Sequence, residues 1–313
     1  MKNLLRILII SIAFIGFNQN AEATHGAAFE ITYKHLSGNQ YRFYASFYRK
    51  CSGISSPTTF QLGYFSSCFP NVQYVNMPQV AGSGVLVPNT CLSTSTVCTR
   101  EHKYEMTINL PGVCKDLVFF HYLGGRPNNS NINGQPTYYV YAFLNNKDVP
   151  NNNSPKWNNN VTVRDFCVGK KQFFDQSSTE IDGDSVVYKL SPAYQNGPTA
   201  PGGVFTQVPY TPPYDSITQI PTSTPLVINS LTQSFEFTPS ATFSGSFCFR
   251  VEEWRKVKQV INPGTPQVDT IYPRVLVGKI MRDMRVIFGP NCNVVNPYLA
   301  GKLNSSGVPL TDN

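Results

Sequence analysis

The chain has 313 residues and a formal net charge of +7, and only 14% of its residues are charged. The basic excess is scattered, and its densest run, Arg255-Lys256-Val257-Lys258, is too small to be a nucleic-acid groove. Low charge with 17 Tyr, 21 Phe and 24 Pro fits a β protein with long polar loops, and the length allows two domains of ordinary size.

Residues 1–23 read as a secretory signal peptide. Lys2 and Arg6 supply the positive start, Leu4 to Phe17 the apolar run, and Ala21-Glu22-Ala23 the small residues before a cleavage ahead of Thr24. Spanning hydrocarbon takes about 20 apolar residues, and this run stops sooner, at Asn18-Gln19-Asn20. No later segment is apolar enough to span, so no integral membrane segment is expected after cleavage. The expected location is secreted or at the cell surface, with the periplasm as the alternative.

All eight cysteines follow that signal: Cys51, Cys68, Cys91, Cys98, Cys114, Cys167, Cys248 and Cys292. An even count in an oxidising compartment predicts disulfides. Zinc would need close pairs such as C-x-x-C, and the nearest two, Cys91 and Cys98, are too far apart for that. Which cysteine pairs with which stays open.

Alternation of apolar and polar residues begins at once. Phe29, Ile31 and Tyr33 point one way and Glu30, Thr32 and Lys34 the other. After the turn Ser37-Gly38-Asn39, Tyr41 to Tyr48 returns as the second arm of a hairpin. Further strands are predicted at Thr59 to Tyr64, Lys103 to Leu110, Leu117 to Tyr122 and Tyr138 to Leu144. Asn145 to Asn160 is Asn-rich and poor in apolar residues, which reads as a linker closing a first domain over 24–160. A second domain over 161–293 would hold strands at Gln172 to Asp175, Ser185 to Leu190, Leu226 to Ile228, Ser234 to Thr238, Phe247 to Trp254 and Val275 to Phe288. Between Pro192 and Pro225 runs a long loop with eight prolines. Residues 294–313 form a polar tail or linker. The fold class expected is all-β.

The order of these segments resembles a family. Thr24-His25-Gly26 through Tyr33, Tyr41 to Cys51, Pro88-Asn89-Thr90-Cys91-Leu92 and Asn152-Asn153-Ser154-Pro155 carry the first half. Phe166-Cys167-Val168-Gly169, Ile181-Asp182-Gly183-Asp184-Ser185-Val186-Val187-Tyr188, Val251-Glu252-Glu253-Trp254-Arg255, Val277-Gly278-Lys279, Arg282-Asp283 and Cys292 carry the second. The string resembles the N-terminal region of extracellular adhesin-like proteins of gliding and related Bacteroidota, which often end in a gliding-motility-associated sorting domain. The resemblance implies surface or secreted placement, two tandem immunoglobulin- or cadherin-like β-sandwich domains, and adhesion. Lys34-His35 and Gly124-Gly125-Arg126-Pro127 depart from the family's cysteine motifs, which implies a bridge lost from both ends.

Three groups of side chains have the residue types for chemistry. Glu180, Asp182 and Asp184 offer carboxylate oxygens to a calcium ion. Three carboxylates are too few to fill its shell, so a turn around Gly183, leading into a strand, is the simpler reading. Glu252, Glu253, Arg255, Arg282, Asp283 and Arg285 form a charged patch. Paired-carboxylate catalysis would need two carboxyls facing one cleft, and cross-strand ion pairs on an exposed sheet face explain the patch more simply. Tyr194, Phe205, Tyr210 and Tyr214 in the Pro-rich loop are candidate ligand-binding aromatics, set against the simpler role of tacking that loop to its own domain. There is no G-x-S-x-G elbow and no phosphate loop. The sequence therefore predicts a non-catalytic binding or adhesion module, with a surface glycan or protein as ligand. The alternatives are a structural subunit of an envelope or appendage complex, whose partners are neighbouring subunits, and a polysaccharide-processing accessory enzyme. No cofactor is implied beyond that calcium.

Overall fold

The alternating segments form strands with their apolar residues turned to one side. The structure, a computed structural model, describes residues 26–53, 55–87, 98–158, 164–261 and 269–290. The leader and the tail from 291 lie outside these. The strands β1 (Gly26–Ser37), β2 (Gln40–Lys50), β3 (Thr59–Ser66), β4 (Phe69–Pro78), β5 (Val85–Leu86), β6 (Thr99–Asn109), β7 (Leu117–Leu123) and β8 (Tyr138–Leu144) come first. Then follow β9 (Lys156–Trp157), β10 (Arg164–Cys167), β11 (Gln172–Asp175), β12 (Ser178–Thr179), β13 (Ser185–Leu190), β14 (Tyr194–Asn196) and β15 (Thr206–Gln207). The last are β16 (Thr222–Asn229), β17 (Ser234–Pro239), β18 (Phe243–Lys256), β19 (Gln259–Ile261), β20 (Asp269–Ile271) and β21 (Arg274–Gly289). Among the described residues there is no helix. The protein is all-β.

The main sheet runs β4-β3-β7-β8-β21-β1-β2-β6-β5, with β10 and β18 also on β21 and β13 on β18. Its pivot is β21. Gly278 to Ile280 pairs with β8, Ala28 to Glu30 of β1 lies on Met284 to Arg282, and β10 runs parallel to Val286 through Gly289. Along its other edge β21 pairs with β18 from Phe243 to Lys256. Strands from both sides of residue 160 thus share one sheet. Periodicity shows which residues face a core and says nothing about which distant strand completes the ladder.

The sheet curls. Gln79 forms a bridge with Tyr104, and the Val80 N–H donates to the Lys103 carbonyl at 2.8 Å, so the chain after β4 meets β6. Phe29, Ile31, Phe43, Phe47, Phe60 and Phe119 fill the interior. His121 sits among them, its ring 4.5 Å from that of Phe60, and burial pushes its pKa down to about 4. It is a neutral core residue, as its place in a strand suggests. Beside this lobe, β11, β17 and β16 form a small sheet. That sheet lays Phe174, Phe235 and Phe237 against Phe247, Phe249 and Phe288.

The opposite side of β18 is covered by the Pro-rich loop. The Gln219 side chain acts as a neighbouring strand there: its Oε1 accepts the Cys248 N–H at 2.6 Å and its Nε2 donates to the Cys248 carbonyl at 3.0 Å. A buried ion pair lies under the same loop. Arg126 and Asp283, both fully buried, meet at 2.5 Å, and the guanidinium stacks 3.9 Å from the Tyr138 ring.

The Asn-rich stretch is built into the fold. Asn145, Asn146 and Asn152 are all buried. Asn146 Oδ1 accepts the Cys114 N–H at 2.7 Å, and Asn145 Nδ2 donates to Asp148 at 2.9 Å. The predicted linker is, over its described residues, a hydrogen-bonded wall. Composition alone cannot tell a solvated polar segment from one whose amides satisfy buried backbone groups.

A candidate ligand-binding cleft

The outward residues of the first hairpin make the floor of a cleft of about 440 Å³. In register, Glu30 lies opposite Ser46 and Thr32 opposite Tyr44, and on the next strand Lys103 lies opposite Ser46. The facing wall is Asn153 to Trp157 with Thr179 and Ile181. This wall is pinned to β1: the Ser154 N–H donates to the Tyr33 carbonyl at 3.1 Å, and Tyr33 N–H and His35 N–H donate to Ser154 Oγ and Asn153 Oδ1, each at 2.9 Å. The pairing of β9 with β12 holds its far end. The volume is in the range of small-molecule sites, roughly 300–1,000 Å³.

Charge in the cleft is layered. The acids are sunk in the floor and already engaged. Burial raises the pKa of Glu30 while the adjacent Arg282 opposes that shift, and Arg282 Nε reaches Glu30 Oε2 at 2.5 Å. Glu101 accepts from Tyr48 at 2.8 Å and Ser46 at 3.1 Å, and lies 3.4 Å from Lys103. The exposed rim is basic: Lys34, Lys103 and Lys156. Neither Lys34 nor Lys156 has an ion-pair partner among the described residues. Trp157 forms the back of the site, one face 3.9 Å from the Arg282 guanidinium and its edge toward Phe249.

The acidic turn lies behind this wall. Glu180, Asp182 and Asp184 come within 4.8 Å of one another. Their oxygens are engaged by protein donors: Glu180 takes the Asp182 and Asp184 N–H groups at 2.7 Å, Asp182 takes the Asn153 N–H at 2.6 Å, and Asp184 pairs with Arg255 at 2.5 Å. Gly183 has φ +81°, as the turn reading requires. Two further acids that could help to fill a calcium shell are engaged elsewhere, Asp148 with Asn145 and Lys115 and Asp175 with the Ser177 N–H. The arrangement is a cross-linked turn.

The charged patch differs from its expected form. Glu252, Glu253, Arg282 and Asp283 are buried rather than spread on an exposed face. Arg282 and Asp283 pair outside the patch, with Glu30 and Arg126. Successive strand residues point to opposite faces, which separates the two glutamates. Burial opposes ionisation of Glu252, but hydrogen bonds from Lys189 and Arg250 win and lower its pKa to about 2. Glu253 has no partner for Oε1, and its Oε2 meets Asn152 Nδ2 at 3.4 Å. Burial, with the nearby Asp184 and Glu180 charges, holds its pKa well above the ordinary 4.5. Folded Glu253 therefore keeps a proton that the unfolded chain releases above about pH 4.5, and its contribution to stability falls as pH rises from there. Glu253→Gln should remove that slope, so its stability advantage over the parent should grow with pH in urea denaturation; an unchanging difference would contradict the protonated form.

The loop aromatics divide. Tyr194 packs on Tyr141 and Phe205, and Phe205 on Tyr141 and Tyr139, in tilted or edge-to-face pairs with ring centroids 4.8–6.4 Å apart. Tyr210 accepts the Ala193 N–H at 2.9 Å, and Tyr214 packs on Phe243. Tyr194, Tyr210 and Tyr214 are half-buried anchors of the loop, and Phe205 is 37% exposed. None lines the cleft.

Among the cysteines, Cys51 pairs with Cys98 and Cys68 with Cys114. Cys167 is also disulfide-bonded, while Cys91 and Cys292 lie outside the described residues. Cys248 corrects the expectation that all eight are bridged: it is a buried free thiol on β18, on a residue whose backbone Gln219 holds, and burial pushes its pKa well up. An even count cannot show that one member is walled off in a core.

The sequence pointed to the floor residues only as the polar side of an alternating strand. Most of the far wall, Asn153 to Trp157, lies in the stretch expected to be a linker, and no motif marks Lys156 or Trp157. No protein-family model, curated protein or solved structure matches this chain.

Proposed function

We propose that the protein is an exported, non-catalytic binding module whose ligand lies in the cleft between β1-β2-β6 and the Asn153–Ile181 wall. The observation that carries this reading is the cleft itself, with its backbone pinned on both walls and a polar and aromatic lining around a ligand-sized volume. Within it the two acids already serve as acceptors for protein donors, which leaves no free carboxylate pair for acid–base work. The family resemblance and the signal-like leader support placement outside the cytoplasm and a role in adhesion. Binding to an array of glycans and peptides tests the proposal. Thr32→Trp, which fills the floor, should lower retention about tenfold or more, and Phe205→Ala in the loop should leave it unchanged. The reverse pattern would move the site to the loop, and time-dependent shortening of a retained glycan would make the protein an enzyme.

A further inference from the structure

The proposal that the cleft binds a ligand leaves the ligand's chemistry open, and the distribution of charge narrows it. Resting on that reading, we infer that the cleft takes an acidic glycan, a short oligosaccharide whose carboxylates or sulfates meet the lysine rim.

The acids of the cleft are spent on protein partners: Glu30 on Arg282, and Glu101 on Lys103, Tyr48 and Ser46. The bases are not. Lys34 and Lys156 stand exposed on facing walls without an ion pair among the described residues. Lys34 is also directly opposite Arg42 in the β1–β2 register. Like charges directly opposite one another destabilise a hairpin, and among the described residues the side-chain partner of Arg42 is Thr107 Oγ1, at 3.2 Å. Glu105 lies across from Tyr44 on the same face and forms no ion pair with either base. Arg42 is not part of the cleft lining, and an anion on Lys34 would relieve the repulsion between the two. The acidic turn does not cancel this field from within the cleft, because only Ile181 of that turn lines it and the carboxylates are taken by Arg255 and backbone amides.

A glycan fits the remaining lining better than an acidic peptide. A peptide bound in extended form needs open backbone donors and acceptors along a strand edge. Here β2 lies between β1 and β6, and Tyr33 of β1 is paired with Ser154. What the cleft offers instead are the Thr32 hydroxyl, the hydroxyl oxygens of Ser46 and Thr179, whose protons go to Glu101 and Asn158, and the half-buried Tyr44 ring. Hydroxyl-rich rings carrying charge can use all of these at once.

Calorimetric titration of the full chain with trigalacturonate, a sulfated galactan trisaccharide, maltotriose and a Glu-rich hexapeptide tests the inference. The parent should bind one or both acidic sugars, the stronger of the two telling carboxylate from sulfate, and should bind maltotriose at least about tenfold more weakly. Lys34→Ala with Lys156→Ala should weaken the acidic sugar about tenfold, whereas Lys34→Arg with Lys156→Arg, which keeps both charges, should stay within about threefold. Raising salt from about 0.05 M to about 0.5 M should weaken the parent more than the double Ala variant. Equal binding of maltotriose, binding of the peptide alone, or indifference to the lysines would overturn the inference. If Thr32→Trp still abolishes whatever binding is then found, the cleft stands and only the ligand class falls. If neither acidic sugar binds and Thr32→Trp changes nothing, both readings fall.

Discussion

Arg126→Met should cost about 3–5 kcal/mol of folding stability, because it strands a buried carboxylate. Arg126 is fully enclosed, with Nη1 and Nη2 on the two Asp283 oxygens at 2.8 and 2.5 Å and a further bond from Nη2 to the Tyr194 carbonyl. Met keeps the length and loses the charge, so Asp283 remains on β21, the strand that joins both parts of the sheet, with no cation beside it. Desolvating that carboxylate drives the loss. Adding Asp283→Leu should recover most of it, since removing both members of a buried pair is often nearly neutral. Urea denaturation of the parent, both single variants and the double variant measures this. A single-variant loss below about 1 kcal/mol would mean that water or another cation reaches Asp283.

Trp157→Ala should cost about as much, 3–5 kcal/mol or so, by opening a cavity at the back of the cleft. Its ring is buried against Arg282 and Phe249, and Arg282 in turn holds Glu30 and Gln176 Oε1. Truncation would let water into that buried ion pair and weaken the floor from beneath. Trp157→Phe retains a ring face and much of the volume and should lose roughly half as much. Both are read in urea alongside ligand binding. A stable Trp157→Ala protein with intact binding would show that the wall does not depend on this ring.

Much of the architecture was legible in the sequence because its causes are local. Phe29, Ile31 and Tyr33 alternate, Gly38 allows a turn, and Tyr138 to Leu144 and Ser185 to Leu190 have the predicted strand bounds. β4 was invisible because an edge strand with mostly exposed side chains lacks the alternation that marks a buried face. The position of β21 between β8 and β1 depends on pairing across more than a hundred residues, for which a single sequence carries no local signal. The cleft was half legible for the same reason. Glu30, Thr32 and Lys34 were seen to share a face, but its opposing wall came from an Asn-rich stretch whose amides fold inward. Cys248 was misjudged by arithmetic, since parity counts cysteines without locating them.

The most direct test of the cleft uses Trp157 as a reporter. The chain has two tryptophans, so Trp254→Phe leaves Trp157 alone, at the back of the site. Titrating that variant with trigalacturonate while recording tryptophan emission should give a saturable shift with the same midpoint as calorimetry, absent when Lys34 and Lys156 are both Ala. Unchanged emission while calorimetry still reports binding would place the ligand elsewhere and contradict the account.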